Sequence, residues 1–111
     1  MDPERAKELL AGERERIERA LADLARGGNS DTESDPGDQA SNLYSDELDQ
    51  SLAEQLRREL DALERAEARL AAGTYGVSVE SGEPIPDARL EIVPTAERTA
   101  EEQERYERKL R

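Results

Sequence analysis

The sequence predicts a mainly α-helical protein: a long antiparallel helical hairpin of the coiled-coil kind, then a small knob with short strands and a C-terminal helix. Three observations lead there. Only 34% of the 111 residues are hydrophobic while 40% are charged, too few apolar groups for a large globular core. Abundant Ala, Leu, Glu and Arg favour long helices, which need only a narrow apolar seam. Finally, two long stretches repeat apolar residues at helical spacing, whereas residues 74–94 are β-branched and punctuated by Gly and Pro.

The first helix is expected from about Asp2 to Arg26. Asp2-Pro3 supplies an N-cap and a proline at the first helical position. Leu10, Ile17, Leu21 and Leu24 form a coiled-coil-like stripe, and Gly27-Gly28 ends it. Asn29 to Ser41 is a polar loop rich in Ser, Asp and Gly. A second helix is expected from about Asn42 to Ala72, with Leu48, Leu52, Leu56, Leu60, Leu63 and Leu70 on one broad face and Gly73 closing it. Two such helices joined by a loop most simply fold back on each other, which makes the loop the tip of the hairpin. In the knob, Val77, Val79, Ile85, Leu90 and Ile92 are the expected packing residues. The last helix is expected from about Thr95 to Arg111, with Tyr106 and Leu110 as its few apolar anchors. The resulting domains are residues 1–73, the hairpin with its tip at about 27–41, and 74–111, the knob and last helix.

Composition excludes several function classes. There is no Cys, hence no disulfide, thiolate nucleophile or thiolate metal site, and no His, the usual acid/base group near neutral pH. The net charge of −12 opposes binding to nucleic-acid phosphate or anionic lipid through bulk charge. No apolar stretch approaches the ~20 residues of a membrane span, and no signal-peptide pattern is present, so a soluble cytoplasmic protein is expected. Acid pairs occur throughout so acidic a chain, and no phosphate-cradling glycine loop is present; an enzyme is not expected.

The knob reads Gly73-Thr74-Tyr75-Gly76-Val77-Ser78-Val79-Glu80-Ser81-Gly82-Glu83-Pro84-Ile85, then Ala88-Arg89-Leu90-Glu91, then Pro94-Thr95-Ala96. Upstream stands Asp35-Pro36-Gly37-Asp38-Gln39-Ala40-Ser41. Together these resemble the DksA/TraR family of bacterial RNA-polymerase-binding transcription factors, whose zinc-finger knob carries GxYGxCxxCGxPI, ARLE, PxA and a second CxxC, and whose hairpin tip carries DxxDxAS. The likeness covers about Asp35 to Glu102, and two linked motifs at compatible spacing make it specific.

The four positions that the family fills with zinc-binding cysteines are here Ser78, Ser81, Thr99 and Glu102. Neutral hydroxyls are poor zinc ligands and one carboxylate cannot complete a tetrahedral site, so the resemblance implies a degenerate zinc-finger-like knob without metal or other cofactor. Thr99-Ala100-Glu101-Glu102 is a capping box for the start of the last helix, and Ser78 and Ser81 flank a tight turn where hydroxyls can accept backbone N–H bonds.

Between Asn29 and Asp49 there are seven acidic residues and no Lys or Arg, which makes the tip a carrier of negative charge. The resemblance implies that this tip enters the secondary channel of RNA polymerase and modulates initiation without reading DNA sequence, with Asp35 and Asp38 as acting residues and Ala40 in the supporting turn. The local alternative is that Asp35 is an N-cap and Asp38 a first-turn acid favoured by the helix dipole. Many family members act with the alarmone ppGpp; no clustered Lys/Arg set assigns a site for it here, which leaves that coupling open. The alternative for the whole chain is a structural or adaptor protein that has lost polymerase binding. Arg57, Arg58, Arg65 and Arg69 are expected to pair with Glu54, Asp61 and Glu64 along the second helix, and Arg89 and Glu91 to make structural contacts in the knob.

Overall fold

The computed structural model describes residues 1–26 and 39–110, with side chains from residue 48 onward in the second segment. Four helices follow in order: α1 Pro3–Ala25, α2 Gln39–Ala72, α3 Asp87–Ile92 and α4 Ala100–Leu110. The chain is mainly helical, as its composition predicts, and divides into two compact units. One comprises Met1–Glu13 and Ala62–Arg111, the other Arg14–Asp61.

Local chemistry explains the helix ends. Asp2 opens α1 by accepting the Glu4 N–H on its carboxylate at 3.4 Å and the Ala6 N–H on its carbonyl at 3.0 Å. At the end of α2 the Thr74 N–H reaches back to the Arg69 carbonyl at 2.8 Å and the Gly73 N–H to the Leu70 carbonyl at 3.2 Å. This six-to-one, five-to-two pair of bonds needs a left-handed residue just past the helix, and Gly73 has φ +79°.

In the Arg14–Asp61 unit, α1 and α2 bury Ile17 and Leu56, and Arg16 Nη2 lies 3.1 Å from Glu59 Oε1. In the other unit Ala6 and Leu10 of α1 and Leu63 and Ala66 of α2 are buried, and Met1, Pro3, Leu70, Gly73 and Tyr75 line a cavity of about 190 Å³. Early positions of α1 thus meet late positions of α2, the antiparallel hairpin expected from the sequence. The seam is narrower than the leucine pattern suggests. Leu48 and Leu52 belong to the same apolar face, yet Leu52 is 45% exposed and Leu48 more so. A helix with 3.6 residues per turn rotates a broad stripe past its partner, so not every leucine of the stripe is covered.

The knob has its own small centre, Ile85, Leu90 and Ala96, with Met1 and Tyr75 packed against it. The Tyr75 hydroxyl donates to the Pro94 carbonyl at 2.7 Å, which satisfies its polar end. The expected short strands reduce to one isolated antiparallel bridge, Val77 with Pro84, and no strand occurs among the described residues. Proline lacks the N–H needed to extend a ladder there. Val77, Val79 and Ile92 do not join the core either, Ile92 being 82% exposed; Ile85 and Leu90 fill it.

Residues 87–92, whose apolar character suggested β-structure, form the short helix α3, which follows Pro86. The last helix begins at Ala100, not Thr95. Residues 93–99 instead form a connection that buries Ala96 and turns Glu97 toward α2. Among the described residues no helix is long and apolar enough to cross a membrane.

Because Leu63 is fully buried and Leu52 is not, the two should respond differently to truncation. Leu63→Ala should cost about 2–5 kcal/mol, while Leu52→Ala should stay within about 0.5 kcal/mol. Denaturant midpoints of the two variants at equal m-value check this.

Candidate functional site

The four family positions come together in the knob. The segment 76–85 turns tightly: Ser78 N–H bonds to the Glu83 carbonyl at 2.8 Å, Gly82 N–H to the Ser78 carbonyl at 3.0 Å, and Ile85 N–H to the Gly76 carbonyl at 2.8 Å. Inside this turn Ser78 Oγ accepts the N–H groups of Glu80 at 3.1 Å and Ser81 at 3.3 Å, and Ser81 Oγ accepts that of Glu83 at 3.3 Å. Ser78 is buried, so these bonds replace water on groups that would otherwise be unsatisfied.

The second half of the set is the start of α4. Thr99 N–H donates to Glu102 Oε1 at 2.9 Å and Glu102 N–H donates to Thr99 Oγ1 at 3.3 Å, a reciprocal capping box of the kind the sequence shows. The Glu102 side chain turns inward and is only 7% exposed. The nearby Ser78 and Ser81 hydroxyls, with the Thr99 N–H, hold the Glu102 carboxyl down to about 2, against an ordinary value of 4.5.

Further contacts join the same segments. Val79 N–H bonds to the Glu97 carbonyl at 2.8 Å, and Arg98 Nε lies 3.5 Å from Glu80 Oε2 with its guanidinium 3.8 Å from the centre of the Tyr106 ring. The Glu97 carboxylate receives Arg65 at 2.9 Å and Arg69 at 3.2 Å. Burial pushes the Glu97 carboxyl up, but the Arg65 hydrogen bond and the charges of Arg65, Arg69 and Arg98 outweigh it, and the group ends below its ordinary value.

Arg65 and Arg69 therefore do not simply pair along α2: four residues apart on one helical face, they grip a carboxylate from beyond the knob turn. Sequence spacing shows that they share a face but carries no signal that Glu97 lies opposite. The same holds for Arg5, whose Nη2 and Nε meet the Glu91 carboxylate at 2.8 and 3.0 Å, while Arg89 Nε donates to the Arg98 carbonyl at 3.0 Å. Of the tip residues, Ala40 lies in the first turn of α2, whereas Asp35 and Asp38 lie outside the described residues.

Two outcomes follow from the Glu102 geometry. Thr99→Ala removes the acceptor for the Glu102 N–H and should cost about 1 kcal/mol, read as a shift in denaturant midpoint. The depressed Glu102 carboxyl contributes stability that is complete above its unfolded value near 4.5 and is lost as pH falls toward about 2. Glu97, shifted in the same direction, adds to that loss. Melting curves recorded across this window should fall more steeply for the wild type than for Glu102→Gln, which has no carboxylate there to protonate.

Comparison with known proteins places this geometry. Residues 73–108 match the prokaryotic dksA/traR C4-type zinc finger. Over 107 residues the chain is 35% identical to the RNA polymerase-binding transcription factor DksA of Caulobacter vibrioides, covering 95% of this chain and 75% of that one. General stress protein 16O of Bacillus subtilis is 44% identical over 55 residues, half of this chain and 34% of that protein. Among solved structures, transcription factor DksA2 from Pseudomonas aeruginosa aligns with a TM-score of 0.66 at 34% identity, over 96% of this chain and 81% of that one. The chain is a member of the DksA/TraR family in which none of the four zinc-finger cysteines is present.

Proposed function

We propose that this protein regulates transcription by binding RNA polymerase in the cytoplasm through protein–protein contacts, with its acidic hairpin tip placed in the secondary channel to modulate initiation. The observation that carries the reading is the likeness to a DksA named as RNA polymerase-binding, which runs through hairpin and knob alike over 95% of the chain. The antiparallel pairing of α1 and α2 supports it, because such a hairpin presents its connecting segment at one end. That segment holds Asp35 and Asp38 and is free of Lys and Arg from Asn29 to Asp49. A net charge of −12 also fits a regulator that acts on polymerase and not on DNA.

In this reading docking and action are separate. The helices and knob supply contact area, while the tip supplies a few charges near the catalytic centre of the partner. Asp35→Asn with Asp38→Asn keeps side-chain size and capping ability but removes both charges, so folding should barely change. The double variant should still bind purified RNA polymerase, and its effect on open-complex lifetime should disappear. Wild-type protein that neither binds polymerase nor alters open complexes would overturn the reading in favour of an adaptor with another partner. A double variant with full effect would assign both aspartates to helix capping.

A further inference from the structure

The donor set at the four family positions does not fit zinc. Three neutral hydroxyls and one carboxylate cannot make a tetrahedral site of thiolate or imidazole ligands. Among the described residues no group of three or more His, Cys, Asp or Glu is placed to hold a metal ion. In a zinc finger the charge of the ion draws two ligand pairs together. Here the segments that carry those positions are joined through a different cation, Arg98, the residue before Thr99.

Arg98 meets three parts of the knob. Its guanidinium carbon lies 3.8 Å from the centre of the Tyr106 ring on α4, well within cation–π range. Its Nε lies 3.5 Å from Glu80 Oε2, in the turn between Ser78 and Ser81. Its carbonyl accepts the Arg89 Nε–H of α3 at 3.0 Å. The preceding residue adds a backbone bond to the same turn, since the Glu97 carbonyl accepts the Val79 N–H at 2.8 Å. The Arg98 side chain is 19% exposed, and its Nε is buried without a hydrogen-bond partner among the described residues. At 3.5 Å the Glu80 contact is an ion pair and not a hydrogen bond. A covered cation held this way depends on its counter-charge and on the ring face.

We propose that the Arg98 guanidinium takes the place of the family's metal as the cation of the knob: it holds the 78–81 turn through Glu80 and α4 through Tyr106, and lets the knob fold in the absence of metal. Arginine is suited to the task because it stays protonated in proteins, so the clamp keeps its charge throughout the pH range of the fold. Its flat face stacks on a ring while its edge faces a carboxylate, two partners on different sides that the compact ammonium of lysine serves poorly together. The cation is part of the chain, so a chelator has nothing to remove. Arg105, on α4 itself, is exposed and stands outside the clamp.

The test uses the full chain, and its readouts are metal content and melting, which stand apart from any effect on polymerase. Purified wild type should carry no zinc by elemental analysis, and its melting midpoint should be unchanged by EDTA or by added zinc. Arg98→Met should lower the midpoint by about 5 °C, and Arg98→Lys should recover less than half of that loss. Arg105→Met should leave the midpoint where it is. Tyr106→Phe keeps the ring and should melt like wild type, whereas Tyr106→Leu and Glu80→Gln should each melt earlier. Either of these two should add little further loss once Arg98→Met is present, because the shared contact is already gone. The Tyr106 and Glu80 variants made with Arg98 intact keep the proposal testable should Arg98→Met fail to fold. One tightly held zinc per wild-type chain or an EDTA-sensitive wild type would overturn it. So would full recovery by Arg98→Lys, wild-type melting of Arg98→Met or Glu80→Gln, equal melting of Tyr106→Phe and Tyr106→Leu, or additive losses from Arg98→Met and Tyr106→Leu.

Discussion

The knob is held where the 76–85 turn meets the segment that leads into α4, and the rest of it closes around that meeting. The Val79 N–H bonds to the Glu97 carbonyl at 2.8 Å, and Glu102 sets where α4 begins by engaging Thr99 with both its backbone N–H and its carboxylate. The chain between these two ends, α3 and the 93–99 connection, must therefore close on itself. Closing it places Leu90 and Ala96 against Ile85, and it carries Glu97 to Arg65 and Arg69. A centre of three buried side chains could hardly specify that path alone. In so small a core, directional bonds do much of the specifying that packing does in a larger one.

The scarcity of apolar residues sets the style of the whole chain. Where packing is thin, long side chains link elements distant in sequence: Arg5 to Glu91, Arg16 to Glu59, and Arg65 and Arg69 to Glu97. They are not equivalent. The exposed Arg5 and Arg16 pairs are screened by solvent and contribute little each. The Arg69–Glu97 pair is mostly covered on both sides, 16% and 19% exposed, and loss of either partner would leave a charge without its counterpart in a poorly solvated place. This makes Glu97 a structural residue despite its exposed-looking sequence context.

What was legible in the sequence was whatever local spacing controls. Asp2-Pro3, Gly73 and the Thr99–Glu102 box mark real helix ends because each acts within five or six residues. The hairpin was legible from its two apolar stripes, and the four altered family positions from their place in the motif. What was not legible depends on long-range geometry. Nothing in the order of residues says that Val79 bonds to the Glu97 backbone, or that the Glu97 side chain faces α2. The β-branched run from Val77 to Val93 suggested strands, but Pro84, Pro86 and Pro94 break any ladder, and Asp87 to Ile92 coils into α3. Apolar residues that no strand or core takes up, Ile92 and Val79 among them, are left on the surface.

A metal centre and a set of hydrogen bonds confer different kinds of stability on a knob this small. A structural zinc concentrates on the order of 10 kcal/mol in one removable ion, so that its loss is all or none. Hydrogen bonds are worth about 1 kcal/mol each and break singly, so a knob built on them must distribute its stability over several weak ties. The structure has several such ties: the Thr99–Glu102 box, the Val79–Glu97 backbone bond, the Arg98–Glu80 contact and the Tyr75–Pro94 bond. Distribution also changes what the fold responds to. Thiolate–metal centres are sensitive to chelators and to oxidants that consume sulfur, whereas a capping carboxylate weakens as it is protonated. Loss of the four cysteines thus separates the family's architecture from the chemistry that usually stabilises it.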